Sequence, residues 1–227
     1  MKKIKTLTAV LLALMFVLFA MGSGEKSPET PAVDNDVVVN DVIDEPTEAP
    51  APVKKEVSRG TIAGDVYTND FIGITFTKPA DWTYATDEEI AQSINIGQDM
   101  IDLNAFKEAL NQTASIYDMC AVDTYGNRVM VCYENTMLTA FREITVDEYI
   151  EGFKSHLQST DASYEFLPLE DAKLGDTTFK KLNSKVTING VEITQASYIT
   201  VIDQYAVSVV LTTAVEGGIE SMEAMFS

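Results

Sequence analysis

Residues 177–215 read TTFKKLNSKVTINGVEITQASYITVIDQYAVSVVLTTAV, and this stretch decides the fold. β-Branched and aromatic residues crowd it, as they do half-buried strands. Two short polar breaks divide it into runs from Thr177 to Ile188, Val191 to Ile202 and Tyr205 to Val215. Asn189-Gly190 suits a type I′ turn because both positions tolerate positive φ, and Asp203-Gln204 is the second turn. Three strands joined by two-residue connections must pair antiparallel.

The same pattern extends upstream. Ser115 to Thr124 and Arg128 to Thr136 read as two strands joined through Tyr125-Gly126-Asn127, a three-residue hairpin loop, and Tyr164 to Leu169 reads as another strand. Asp65 to Thr68 and Phe71 to Thr77 are short strands ahead of a turn at Pro79-Ala80-Asp81. Helices fall between them. Thr86 with Glu89, and Thr145 with Glu148, are capping-box pairs that start two helices. The second carries Tyr149, Ile150, Phe153 and Leu157 at helical spacing, which marks a core-facing stripe. Leu103 to Leu110 reads as a shorter helix, and Glu220 to Phe226 as a closing one. Hairpins interleaved with single helices give an α+β class, a largely antiparallel sheet covered by helices.

The first sixty residues have another character. Lys2, Lys3 and Lys5 precede an apolar run from Leu7 to Met21, and Ala20-Met21-Gly22 supplies small residues before Ser23. This pattern reads as a secretion signal over residues 1–22, cleaved before Ser23. The run is shorter than the ~18 residues expected of a spanning helix. Residues 23–60 hold five of the seven prolines among many carboxylates, a composition that reads as an acidic, extended tether. The single domain expected from this division is 61–227.

Charge narrows the partners. The chain carries 16 basic and 35 acidic residues, a net charge of −19; without Lys2, Lys3 and Lys5 the balance is 13 against 35, or −22. Such a field opposes nucleic-acid backbones and anionic lipid surfaces. No nucleic-acid partner is expected, and membrane contact only through the signal or an altered lipid site.

Several constellations are candidates for chemistry. With a three-residue loop, strand partners sum to 252, which sets Cys120 opposite Cys132 and Asp118 opposite Glu134. Directly opposed cysteines are within reach of a disulfide, and two buried free thiols are the alternative. Opposed carboxylates repel, so Asp118 and Glu134 require a cation such as Ca²⁺, a basic neighbour, a shared proton or another register. Trp82 and Tyr84, with Phe71 and Phe76, are an aromatic surface for a sugar or peptide, or core residues. Asp34, Asp36, Asn40 and Glu45 approach an EF-hand loop, which Val38 and Val39 break. His156 is the sole histidine, so sites needing two imidazoles are excluded, and no nucleophile elbow, phosphate loop or dinucleotide fingerprint occurs. No catalytic residue is assigned.

Tyr67-Thr68-Asn69, Gly73 with Phe76, Pro79 to Trp82, Asp87 to Ile90, Tyr117-Asp118-Met119, Glu134-Asn135 and Met225-Phe226 together resemble a group of small secreted proteins, often lipoproteins, of gut Clostridia and other Firmicutes. The resemblance covers essentially the whole chain. At fold level, the strand, turn and Pro-x-x-Trp opening is similar to the PsbP-like fold, an α/β/α sandwich. The resemblance implies an envelope location and this fold, without catalytic residues. Ser23 stands where a lipoprotein of the group carries its lipid-bearing cysteine.

The leading expectation is an exported, envelope-associated, non-enzymatic binding module on a flexible tether, meeting an envelope protein or an extracellular ligand. One alternative is a cation-binding protein or hydrolytic enzyme built on Asp118 and Glu134. Another is an accessory factor of an envelope complex.

Overall fold

The computed structural model describes residues 56–93, 106–112, 115–188 and 190–227. The signal, the cleavage site at Ser23, nearly all of the tether and its EF-hand-like segment lie outside these residues, as does Asn189.

The quoted stretch forms the centre of the sheet. β9 (Thr177–Ile188), β10 (Val191–Ile202) and β11 (Tyr205–Thr213) are antiparallel, with Ile188 opposite Val191 and Ile202 opposite Tyr205. Both connections are therefore two residues long, as expected from sequence. Gly190 has φ +79° and Asp203 φ +56°, the left-handed geometry that tight hairpins demand.

β5 (Ser115–Val122) and β6 (Arg128–Asn135) extend this sheet beside β11, and β4 (Thr83–Tyr84) closes that edge. On the other side β7 (Ser163–Phe166) and β8 (Glu170–Leu174) pair with successive parts of β9. The strand expected from Tyr164 to Leu169 is thus β7 and ends at Phe166, and β8 is an additional strand that the sequence reading lacks. Pro168 lies between them and lacks the N–H that a continuous ladder requires. All eight strands run antiparallel to their neighbours, so the α+β reading agrees with the structure.

Side chains alternate along the central strands, and both faces are covered. Val129, Val131 and Tyr133 of β6 and Val207, Val209 and Leu211 of β11 enter the larger core. That core is covered by α2 (Phe106–Gln112), α5 (Gly218–Glu223) and a separate three-stranded sheet, β1 (Thr61–Ala63), β2 (Val66–Asn69) and β3 (Ile74–Thr77). Met225 and Ser227 hydrogen-bond to β3, and the Phe226 ring lies 5.0 Å from that of Phe76. The opposite face takes α4 (Val146–Gln158), whose Tyr149, Ile150, Phe153 and Leu157 pack on Leu182, Ile199 and Ala206. Both arms of its capping box are made: Thr145 Oγ1 accepts from the Glu148 N–H, and Glu148 accepts from the Thr145 N–H. α1 (Asp87–Ser93) packs Ile90 onto Tyr117, Cys120, Met130 and Cys132 of the same face.

Packing begins ahead of Thr61. Val57 is buried in the larger core, and Arg59 and Gly60 bond to β5. Lys54, Lys55 and Arg59 break the acidic run just there, a change of composition that marks where the chain joins the domain.

Candidate functional site

The β5–β6 hairpin decides where the expected site residues go. Its connection is five residues, 123–127, not three, because the Asp123 carboxylate accepts the N–H groups of Tyr125 and Asn127, both at 2.8 Å. An aspartate that satisfies its own turn in this way widens the loop. Cys120 is consequently opposite Met130, and a β-bulge between Tyr117 and Met119 places Cys132 opposite Tyr117. The expected Cys120–Cys132 pairing is therefore corrected: both are buried, free thiols. Burial raises the pKa of each, so neither is held as a reactive thiolate.

The bulge also separates the two carboxylates. Asp118 has no partner across the ladder and turns toward Tyr67, Asn69 and the larger core. Glu134, opposite Ser115, turns to the other face, where Tyr149 of α4 donates to it at 2.8 Å. The expected opposition of Asp118 and Glu134 does not exist, since an extra residue in one strand reverses which way the following side chains point.

Asp118 instead anchors a buried polar cluster. Its Oδ2 accepts from the Tyr67 hydroxyl at 2.6 Å, the Gly60 N–H at 2.8 Å and Asn69 Nδ2 at 3.0 Å, and its Oδ1 accepts from Arg59 Nε at 3.1 Å. Arg59 also pairs with Asp87 of α1. Asn69 donates further to the Tyr133 hydroxyl at 2.8 Å. Burial pushes the Asp118 carboxyl above its ordinary range, against the pull of Tyr67, Gly60 and Arg59. Protein donors occupy both oxygens and Arg59 already supplies the counter-charge, so the Ca²⁺ expectation does not fit here. Glu134 is likewise raised by burial, against its bonds from Tyr149 and Thr139. Among the described residues no three His, Cys, Asp or Glu side chains are grouped to share a metal ion.

The aromatic expectation is corrected too. Trp82 is 6% exposed, with its ring edge-on to Phe76 at 6.4 Å, and Phe71 and Phe76 are buried. Tyr84 is half-buried, donates to the Asp65 carbonyl at 3.1 Å and lies under the Lys78 ammonium at 5.8 Å. These rings hold the small sheet to the large one. They offer no stacking surface. His156 stands in the last turn of α4 with Nε2 buried and without a hydrogen bond.

Two features escaped the sequence. A concavity of about 240 Å³ beside β8 and α5 contains Lys181, whose ammonium meets Glu223 at 2.9 Å and Glu170 at 3.2 Å and lies 5.7 Å from the Tyr198 ring centre. Tyr198 donates to Glu223, and burial together with that carboxylate drives its pKa far up. The polar groups here satisfy one another, tying α5 to the sheet.

The second feature is an exposed apolar ridge. β6 ends at Asn135, whose side chain caps a single helical turn, α3 (Thr136–Thr139), by accepting the Met137 N–H at 3.1 Å. Met137 and Leu138 are 39% and 38% exposed, and Phe141, just beyond, is 77% exposed. Phe141 has φ +57°. The other non-glycine residue at positive φ among those described, Asp203, sits in the β10–β11 turn, and Thr136 ties the two segments together by donating its N–H and hydroxyl to the Gln204 carbonyl, both at 2.9 Å. Strained backbone costs about 1–3 kcal/mol per residue and collects where a surface is used.

No family model matches the chain, and no curated protein matches it. Among solved structures, the chain is similar to cyanobacterial PsbP (CyanoP) from Synechocystis sp. PCC 6803, with 11% identity over 80% of this chain and 98% of that one, at a TM-score of 0.40. It is also similar to LpqN, described as involved in cell envelope biogenesis of Mycobacterium tuberculosis, with 9% identity over 68% of this chain and 82% of that one, at a TM-score of 0.38.

Proposed function

We propose that this chain is an exported, non-enzymatic binding module, carried outside the cytoplasmic membrane on an acidic tether and contacting its partner through Met137, Leu138 and Phe141. The observation that carries this reading is Phe141, which combines a bulky ring held in solvent with a backbone conformation that phenylalanine seldom adopts. Burying such a ring is worth about 1.5–3 kcal/mol, a gain the free chain forgoes and a complex recovers. The basic start, apolar run and small residues before Ser23 support export, and the proline-rich acidic stretch supports a spacer. The enzyme and cation readings lose their support with the separation of Asp118 from Glu134.

Photo-crosslinking in the chain's own host tests this. With p-benzoylphenylalanine at position 141, a discrete adduct is expected. The same group at Tyr125, which is 70% exposed in the connection at the opposite end of β6, serves as control. Equal adducts from the two positions, or none from 141, would remove the ridge as the contact surface.

A further inference from the structure

Met137, Leu138 and Phe141 stand on a rigid base. Asn135 caps α3 and donates Nδ2 to the Leu110 carbonyl at 2.9 Å, Thr136 is bonded twice to Gln204, and the Ala140 N–H reaches the Thr136 carbonyl at 2.7 Å. Beyond Phe141, Arg142 pairs with Glu148 at 2.8 Å, fixing the chain to the first turn of α4. A surface ordered before binding loses little conformational freedom on association. The ridge is therefore a preformed knob.

Its border is acidic. Glu143 and Glu148 are exposed carboxylates in the segment that follows Phe141, Asp203 is an exposed one in the turn to which Thr136 is bonded, and Arg142 is the basic residue in the segment after Phe141, three charges against one, or −2. Lys107, whose charge reaches Tyr205, is itself paired with Glu56 at 3.1 Å. Resting on the binding-module reading, we infer that the partner is a protein with an apolar cleft bordered by lysine or arginine, into which Phe141 inserts.

Charge separates this partner from the other occupants of an apolar ridge. A second copy would set one acidic border against another, because a symmetric dimer brings identical patches together. Anionic lipid and nucleic acid present the same sign as the border and as the whole chain, at −19. A cleft with a cationic rim satisfies both the apolar centre and its surround, and steers the encounter at low salt.

The identity of the adduct tests the inference, with the photoreactive group at 141 and, in a second variant, at 138. The crosslinked peptide, sequenced by mass spectrometry, is expected to hold apolar residues flanked by Lys or Arg. Adduct yield in isolated envelopes is expected to fall at least threefold as salt rises from ~0.05 to ~0.5 M, because exposed charges are screened over that range. A lipid adduct, an adduct with another copy of this chain, a cleft flanked by carboxylates, or a salt-independent yield would overturn the partner's chemistry while leaving the binding module standing. Absence of any adduct at both positions would remove the ridge as the contact surface, and with it both the proposed mode of binding and this inference.

Discussion

Gly60 shows how closely the N-terminal segment is fitted. A β-carbon there would stand 2.2 Å from the Tyr67 ring, the ring whose hydroxyl holds Asp118. Gly60→Ala is expected to cost about 1–3 kcal/mol, as forced overpacking does, whereas Gly152→Ala on α4, where nothing lies within 4 Å, should stabilise by up to about 1 kcal/mol. Chemical denaturation of both variants checks the contrast. Asp118→Asn turns one acceptor into a donor that faces N–H and O–H groups, and is expected to cost about 1–3 kcal/mol. The loss should be smaller in an Arg59→Gln background, because the ion pair is then already gone, and a double-mutant cycle reads the difference.

The buried carboxyls also set a pH dependence with a definite sign. Burial lifts Asp118 above 3.8 and Glu134 above 4.5, so the folded chain holds protons that the unfolded chain has released. Their contribution to stability grows as pH falls through the folded pKa values, and is complete only below the unfolded ones. Glu148 has the reverse sign. Arg142 and the Thr145 N–H lower it from 4.5 to about 2, so its contribution is present above 4.5 and is lost as pH falls toward 2. Thermal melts from pH 7 to pH 3 are expected to show the advantage of Glu134→Gln over the parent shrinking with acidification. The deficit of Glu148→Gln should shrink too, over the lower part of the range.

Among the elements, those governed by local rules were legible and those governed by a single side chain were not. The Asn189-Gly190 and Asp203-Gln204 breaks give the register of β9, β10 and β11 directly, and the Thr145–Glu148 box starts α4 where expected. The β5–β6 pairing failed because Asp123 reorganises its own turn, and because a bulge at Asp118 leaves no periodic trace in a strand that is buried on both faces. One consequence is directly measurable. The chain unfolded without reductant should titrate as two thiols, from Cys120 and Cys132, and a loss of both would restore the register that set them opposite each other.

At the scale of the molecule, the sheet and its covering helices follow from hydrophobic periodicity, which is why the α+β class could be read before the structure. The proposed contact surface could not. Met137, Leu138 and Phe141 lie just past the strand read from Arg128 to Thr136 and carry no pattern that marks them as exposed, and it is the cap at Asn135 and the left-handed backbone at Phe141 that accompany their exposure. Likewise, the residues ahead of Thr61 belong to a tether by composition, yet Val57, Arg59 and Gly60 complete the domain through long-range contacts. Backbone hydrogen exchange, compared between the purified chain and the same chain held in its native envelope, tests the ridge most directly. Slower exchange over 137–143 and 203–205, with 123–127 unchanged, is the expected result. Unchanged exchange at the ridge, or slowing confined to the opposite end of the sheet, would contradict it.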